Sequence, residues 1–224
     1  MRRILSIALA ILRKDLLVEV RTRESFTAML VFAVMAVVMF NFALRLRVDT
    51  LKPLVPGILW VTLVFAGTLG LSRSMLSEQL NGGFDALMLA PGDRMAVFIG
   101  KALANLVFTL AVGLFVLPVM AILFDEGLIQ PGVLLTVALG AIGYSGAGTL
   151  IATMAASTRA REVFLPILLF PLVLPLVVAA VIVTAGYVDR APFEEFGSWM
   201  GVIVAFILIF WTAGTLLFEP LVEG

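Results

Sequence analysis

Six long apolar runs constrain this chain more than any other feature: Phe26 to Leu44, Leu54 to Leu71, Ala102 to Phe124, Val133 to Ala156, Val163 to Tyr187 and Gly197 to Phe218. Each is close to the roughly 20 residues that a helix needs to cross the hydrocarbon of a bilayer. Water does not reach the backbone at that depth, so every N–H and C=O must be paired inside the protein, which a helix does within one segment. The alternating pattern of a membrane β-barrel is missing from these runs. The sequence therefore reads as an all-α, polytopic membrane protein with six transmembrane helices. The runs consume most of the 224 residues, which leaves no loop long enough to fold as a second domain. Residues 26–218 form the membrane domain, 1–25 a cytoplasmic N-terminal element and 219–224 a short cytoplasmic tail.

Composition narrows the chemistry. Positive and negative charges balance, which gives no case for nucleic acid as a partner. There is no cysteine, so disulfides, thiolate metal sites and thiol catalysis are excluded together. The absence of histidine removes the usual proton shuttle and the familiar imidazole ligand of haem iron. No Asp, Glu, Lys or Arg lies near the middle of any run. Ion-coupled carriers keep such groups at depth, and an intramembrane enzyme needs a nucleophile, metal cluster or carboxylate pair there. The expectation is a non-catalytic membrane subunit with no cofactor of its own. The polar residues inside the runs, Asn41, Thr62, Thr68, Asn105, Thr109, Thr136, Ser145, Thr149, Thr153 and Thr212, read as helix packing. The two halves show no sequence repeat, so an inverted-repeat transporter gains no support.

Orientation follows the Lys and Arg residues. With a cytoplasmic N-terminus, the inner side holds Arg2, Arg3, Arg13, Lys14, Arg21, Arg23, Arg73, Arg94, Lys101, Arg159 and Arg161; the outer side holds only Arg45, Arg47, Lys52 and Arg190. Six crossings then return the C-terminus to the cytoplasm and leave the loop Asp125 to Pro131 outside. The first outer loop, with three of those cations, runs against the bias. The N-terminal stretch Ile4 to Leu12 is too short to span and is followed directly by Arg13 and Lys14, with no small-residue cleavage site. It reads as a helix along the membrane surface with its basic groups among lipid headgroups; the competing reading is a disordered basic tail.

Three further segments stand out. Gly140, Gly143, Gly146 and Gly148 put small residues at helical spacing in the fourth run, for a tight contact within the chain or between subunits. Pro166, Pro171 and Pro175 interrupt the fifth run, where each withholds a backbone donor and crowds the preceding turn. A bent or broken helix is expected, either a static kink or a place that moves or lines a cavity. Between the second and third runs, Asn81-Gly82-Gly83 makes a turn, Asp85 favours a helix start and Pro91-Gly92 ends it. The short helix from Phe84 to Leu89 would expose Phe84, Leu87, Met88 and Leu89 on the cytoplasmic side, where they need the bilayer surface or, preferably, a groove in another protein. The second inner loop, with Arg159 and Arg161, either meets the same partner or only fixes topology.

With these residues in view, the chain resembles the haem exporter protein B family, CcmB, the membrane subunit of an ABC-type complex in bacterial cytochrome c maturation. The resemblance rests on Arg13-Lys14-Asp15-Leu16, on Ser72, Arg73 and Glu78, on Phe84-Asp85-Ala86-Leu87-Met88-Leu89-Ala90-Pro91, on Gly100-Lys101, and on Leu165 to Pro175. It implies an ABC exporter permease with an N-terminal interfacial elbow helix, set as a homodimer in the bacterial inner membrane on two copies of a CcmA-like ATP-binding subunit that carries ATP and magnesium. The segment from about 78 to 91 would be the coupling helix, with Glu78, Phe84, Asp85, Leu87, Met88, Leu89, Pro91 and Arg94 at the ATPase contact. Further implied partners are a CcmC-like haem-handling membrane protein, a CcmD-like small membrane subunit and a CcmE-like haem chaperone, so that haem is handled by the complex. Two alternatives share the architecture: a permease exporting a lipid, glycan or drug, and an assembly scaffold without transport.

Overall fold

The computed structural model describes residues 2–45, 50–80, 94–156 and 161–223. They form seven helices and a short 3-10 turn: α1 (Arg2–Thr22), α2 (Glu24–Arg45), the turn Lys52–Leu54, α3 (Val55–Leu80), α4 (Arg94–Phe124), α5 (Pro131–Ala156), α6 (Arg161–Asp189) and α7 (Phe193–Glu223). Among the described residues there is no strand. Helices α2 to α7 are six elements long and apolar enough to cross a membrane, each containing one of the apolar runs, save that Leu54 of the second run falls in the turn before α3. The protein is a multi-pass membrane protein.

The six spans are not equivalent. Along their spanning stretches α3 and α5 are 72% buried, whereas α2 and α7 are 22% buried, so α3 and α5 form the centre. Helix α3 packs against α2, α4 and α6, and α5 against α4, α6 and α7. Apolar side chains do not by themselves draw helices together in lipid, so close packing and interhelical hydrogen bonds must do so. Both are concentrated on α5. A methyl group added at Gly140 would meet the Trp60 ring of α3; at Gly148 it would lie 2.6 Å from Leu71. At Gly143 it would lie 3.1 Å from Leu176 of α6, and at Gly146 2.7 Å from Trp211 of α7. The four glycines are thus filled by large side chains of the same chain.

Polar groups close the gaps between these helices. Trp60 Nε1–H donates to Thr184 Oγ1 at 2.9 Å, joining α3 to α6. Thr68 Oγ1 donates to Val64 O at 2.7 Å. The Tyr144 hydroxyl of α5 lies 2.9 Å from that Oγ1 and 3.2 Å from the same carbonyl. Asn105 Nδ2–H donates to Thr149 Oγ1 at 2.8 Å, and Trp211 Nε1–H to Ile142 O at 2.9 Å. Thr62 Oγ1, also buried, has no such partner. Beside Trp60, Thr109 and Tyr144 is a cavity of about 10 Å3, at the lower limit for one water molecule.

Helix α6 continues through all three of its prolines, so the broken helix considered from the sequence is not what forms. The rings deny an N–H to the carbonyls of Glu162, Ile167 and Pro171. Pro171 and Pro175 sit on the exposed side and Pro166 is half-buried. Helix α4 also holds a proline, Pro118, within its length.

Candidate functional site

The site begins with the residue pattern of α1. Ala8 and Ile11 are buried and Asp15 lies on the same face, while Leu5, Leu9 and Val20 are exposed beside the basic side chains Arg3, Arg13 and Arg21. Spacings of three and four residues put each set on its own stripe. The buried stripe lies on α4, so the N-terminal element is a docked helix and not a disordered tail. Contact is closest at Gly100, where an added methyl would sit 2.9 Å from Ala8 O and 2.8 Å from Ile11 Cβ. One residue further along, Lys101 Nζ donates to Asp15 Oδ2 at 2.8 Å, and Lys14 Nζ lies 3.0 Å from Asp15 Oδ1. The Lys101 and Asp15 side chains are only 6% and 10% exposed.

A second, smaller core surrounds this contact. Ile11, Val97, Phe98, Ala102, Leu150 and Phe218 pack together, which gathers α1, the start of α4, the end of α5 and the end of α7. Phe98 is its centre, with ring centroids 6.1 Å from Trp211 in an edge-on arrangement and 5.8 Å from Phe218. A methyl at Gly214 would run into the Phe98 ring. Helix α1 ends at Thr22, and Arg23 just past it has a left-handed φ of 58°. The Glu19 carboxylate then accepts the Phe26 N–H at 2.7 Å, capping α2 at its third residue, where N–H groups lack intrahelical partners.

The far end of the bundle is closed by a different set of groups. Asn41 Nδ2–H and Arg45 Nη2–H both donate to Leu123 O, at 2.8 and 2.9 Å, capping the C-terminus of α4. Lys52 Nζ lies 2.9 Å from Asp189 Oδ1, and Gln130 Nε2–H donates to Tyr187 O at 3.1 Å. Arg45 and Lys52, which ran against the charge bias, therefore act as ties at that end, Arg45 joining α2 to α4 and Lys52 joining the turn before α3 to α6.

The residues proposed from the sequence for the ATPase contact fall partly in view. Phe84, Asp85, Leu87, Met88, Leu89 and Pro91 lie outside the described residues, as does Arg159. Glu78 belongs to the last turn of α3, Arg94 opens α4 and Arg161 opens α6. Segment 81–93 is thus bounded by α3 and by the part of α4 that α1 grips. The sequence reading used both stretches for the family resemblance and Lys101 for orientation, but missed that Asp15 and Lys101 pair. The available signal was the isolated cation in Gly100-Lys101-Ala102-Leu103-Ala104, just before an apolar run. Phe98 gave no signal, since nothing local separates it from a lipid-facing phenylalanine.

The model of the CcmB protein family matches residues 6–220, nearly the whole chain. The chain belongs to the CcmB family. A CcmB relative, heme exporter protein B of Rhodobacter capsulatus, is 29% identical over 169 residues, covering 74% of this chain and 77% of that protein. The match takes in the two stretches that meet in the structure, around Asp15 and Lys101, as well as segment 81–93.

Proposed function

We propose that this chain is the permease subunit of an ABC-type complex of cytochrome c maturation, coupling ATP hydrolysis on a separate subunit to export of haem or release of a haem-loaded chaperone. The observation that carries the reading is the family match over residues 6–220, to which the heme exporter relative adds a role for this type of protein. The architecture supports it: among the residues whose burial is described, Lys101 is the one charged residue in the buried class, and it lies near the start of α4. The span interiors hold Thr, Asn and Tyr groups engaged with neighbouring helices. A chain built this way has no charge to cycle at depth, and its energy must enter from outside the spans.

On this reading Glu78, the 84–91 segment and Arg94 meet the ATP-binding subunit, with Arg159 and Arg161 beside them. The spans act mechanically, passing closure of the ATPase pair to the opposite face. Without His or Cys in the chain, iron ligation would fall to Met or Tyr, and the Tyr144 hydroxyl is already held by Thr68 and Val64. On this reading axial binding of haem falls to partner proteins that carry stronger iron ligands. The test is co-purification of the ATP-binding subunit with the chain and its ATPase rate in vesicles. Phe84→Asp with Leu87→Asp should abolish the stimulation due to this chain, and deletion of the chain should abolish c-type cytochromes. Unchanged stimulation in that variant would overturn the coupling role, and intact c-type cytochromes after deletion would overturn the pathway.

A further inference from the structure

Helix α1 carries more surface than its dock on α4 uses. Three lines of residues run along it. Ala8, Ile11 and Asp15 make the docked line. Leu5, Leu9, Leu16 and Val20 make a second, of which Leu5, Leu9 and Val20 are exposed. Arg3, Ala10, Lys14 and Arg21 make a third, all of them exposed. At about 100° per residue, the turn of an α-helix, the three lines divide the circumference into rough thirds. We infer that the two outward thirds form a binding surface for anionic phospholipid, in which the leucine line enters the acyl region and the arginine line takes the negative headgroups. The inference does not draw on the ATPase coupling proposed above.

The rotation of α1 about its own axis is fixed by its dock. Gly100 of α4 admits α1 so closely that an added methyl would lie 2.9 Å from Ala8 O, and Lys101 Nζ meets Asp15 Oδ2 at 2.8 Å on the same side. Its place along the membrane normal is fixed by its neighbour in sequence. Helix α2, one of the six spans, starts at Glu24 with Arg23 alone between it and the end of α1, so that end of α1 sits at the bilayer boundary. Charge then selects the occupant. Asp15 is turned to the dock, and the Glu19 carboxylate accepts the Phe26 N–H at 2.7 Å, so neither acidic side chain of α1 lies on the arginine line. Lys14 Nζ is 3.0 Å from Asp15 Oδ1, which makes Arg3, Arg13 and Arg21 the main cationic groups of the surface. Arg13 stands on the seam between the leucine and arginine lines, where its stem can follow the apolar side while its guanidinium stays with the headgroups. An apolar line beside a basic one, held at the bilayer boundary, matches a negatively charged lipid surface on both counts. A soluble acidic partner would have to displace the bilayer already lying there.

The chain has no native cysteine, so a fluorophore on Ala10→Cys reports the arginine line alone. The full chain is placed in vesicles of equal parts phosphatidylcholine and phosphatidylglycerol, with a trace of one lipid or the other carrying a nitroxide high on its acyl chain. Labelled phosphatidylglycerol should quench at least threefold more than labelled phosphatidylcholine at the same mole fraction. The preference should vanish when Arg3, Arg13 and Arg21 are all changed to Gln and persist at twofold or more when all three are changed to Lys. Unchanged tryptophan emission checks that both variants are folded. A fluorophore on Leu9→Cys should be shielded from aqueous iodide at least twofold better than one on Ala10→Cys. Equal quenching by the two lipids at Ala10→Cys, or a preference that survives the glutamine variant, refutes the headgroup site. Equal iodide access at the two positions refutes immersion of the leucine line. The same measurement with the ATP-binding subunit bound decides between occupants: a retained preference supports lipid, and a preference lost on assembly assigns the arginine line to that protein instead.

Discussion

At the scale of single residues, the centre of the bundle depends on which side chain fills which glycine. Trp60 occupies the notch at Gly140 while its indole N–H is held by Thr184, so the ring cannot retreat without losing a hydrogen bond. Gly140→Ala is expected to cost about 1–3 kcal/mol, the range for overpacking a filled core. At Gly57 of α3 an added methyl meets nothing within 4 Å, and Gly57→Ala should instead gain about 0.5–1 kcal/mol from the lower chain entropy of alanine. Unfolding of both variants in the same detergent checks the opposite signs. Tyr144→Phe removes the hydroxyl shared by Thr68 and Val64 O and should cost about 0.6 kcal/mol, the mean for such bonds between membrane helices. That small residues line the fourth span is legible in the sequence, because their spacing is local. Which side chains fill them is not, because Trp60, Leu71 and Trp211 come from other helices and their sequence positions carry no mark of the contact.

At the scale of elements, the spans could be read because apolar length in lipid leaves the backbone one solution, and each run, save Leu54, lies within one helix. The surroundings of the runs were harder. The start of α4 extends eight residues before the apolar run that begins at Ala102, to Arg94, and that extension carries Phe98, Gly100 and Lys101, the residues that receive α1. Charged and mixed sequence at a span end looks alike whether it is loop or helix, so only the tertiary contact decides. The junction of α1 and α2 shows the same dependence on non-local pairing. Arg23 turns left-handed, and Glu19 caps the helix that follows it from seven residues away in sequence. Glu19→Ala should destabilise the first turn of α2 by about 1 kcal/mol, read as roughly fivefold faster amide exchange at Phe26 with the centre of α2 unchanged. In α6 the sequence correctly marks three prolines but not their effect, since the helix continues past them. Pro171→Ala returns a donor to the carbonyl of Ile167. Thermal stability should rise, and if α6 transmits the ATPase movement, ATPase-coupled haem handling should fall in the same variant; both are measured on one vesicle preparation.

At the scale of the whole molecule, the two ends of the bundle are fastened by different means. One end is tied by short polar links between spans, through Asn41, Arg45, Lys52 and Gln130. The other relies on α1, which is not among the six helices apolar enough to cross a membrane, and the small core around Phe98 together with the buried charge of Lys101 is complete only while α1 is in place. Deleting residues 1–22 therefore takes away two separate things. It exposes the apolar surface that Ala8 and Ile11 cover, and it takes the Asp15 carboxylate away from the buried Lys101. Loss of one partner of a buried pair costs about 3–5 kcal/mol, so the shortened chain should unfold at that end first, with the environment of Trp211 changing before that of Trp60. The charge contribution can be separated from the packing contribution by combining the deletion with Lys101→Met. The methionine keeps most of the lysine volume and removes the buried charge, so it should recover part of the lost stability in the shortened chain. In the full-length chain the same substitution takes one of the two lysine partners from the largely buried Asp15 carboxylate and should be destabilising. A change of sign for one substitution between the two backgrounds, followed by tryptophan fluorescence during thermal unfolding in detergent, would establish that α1 stabilises this end by charge as well as by packing. The same sign in both would leave packing as its whole contribution.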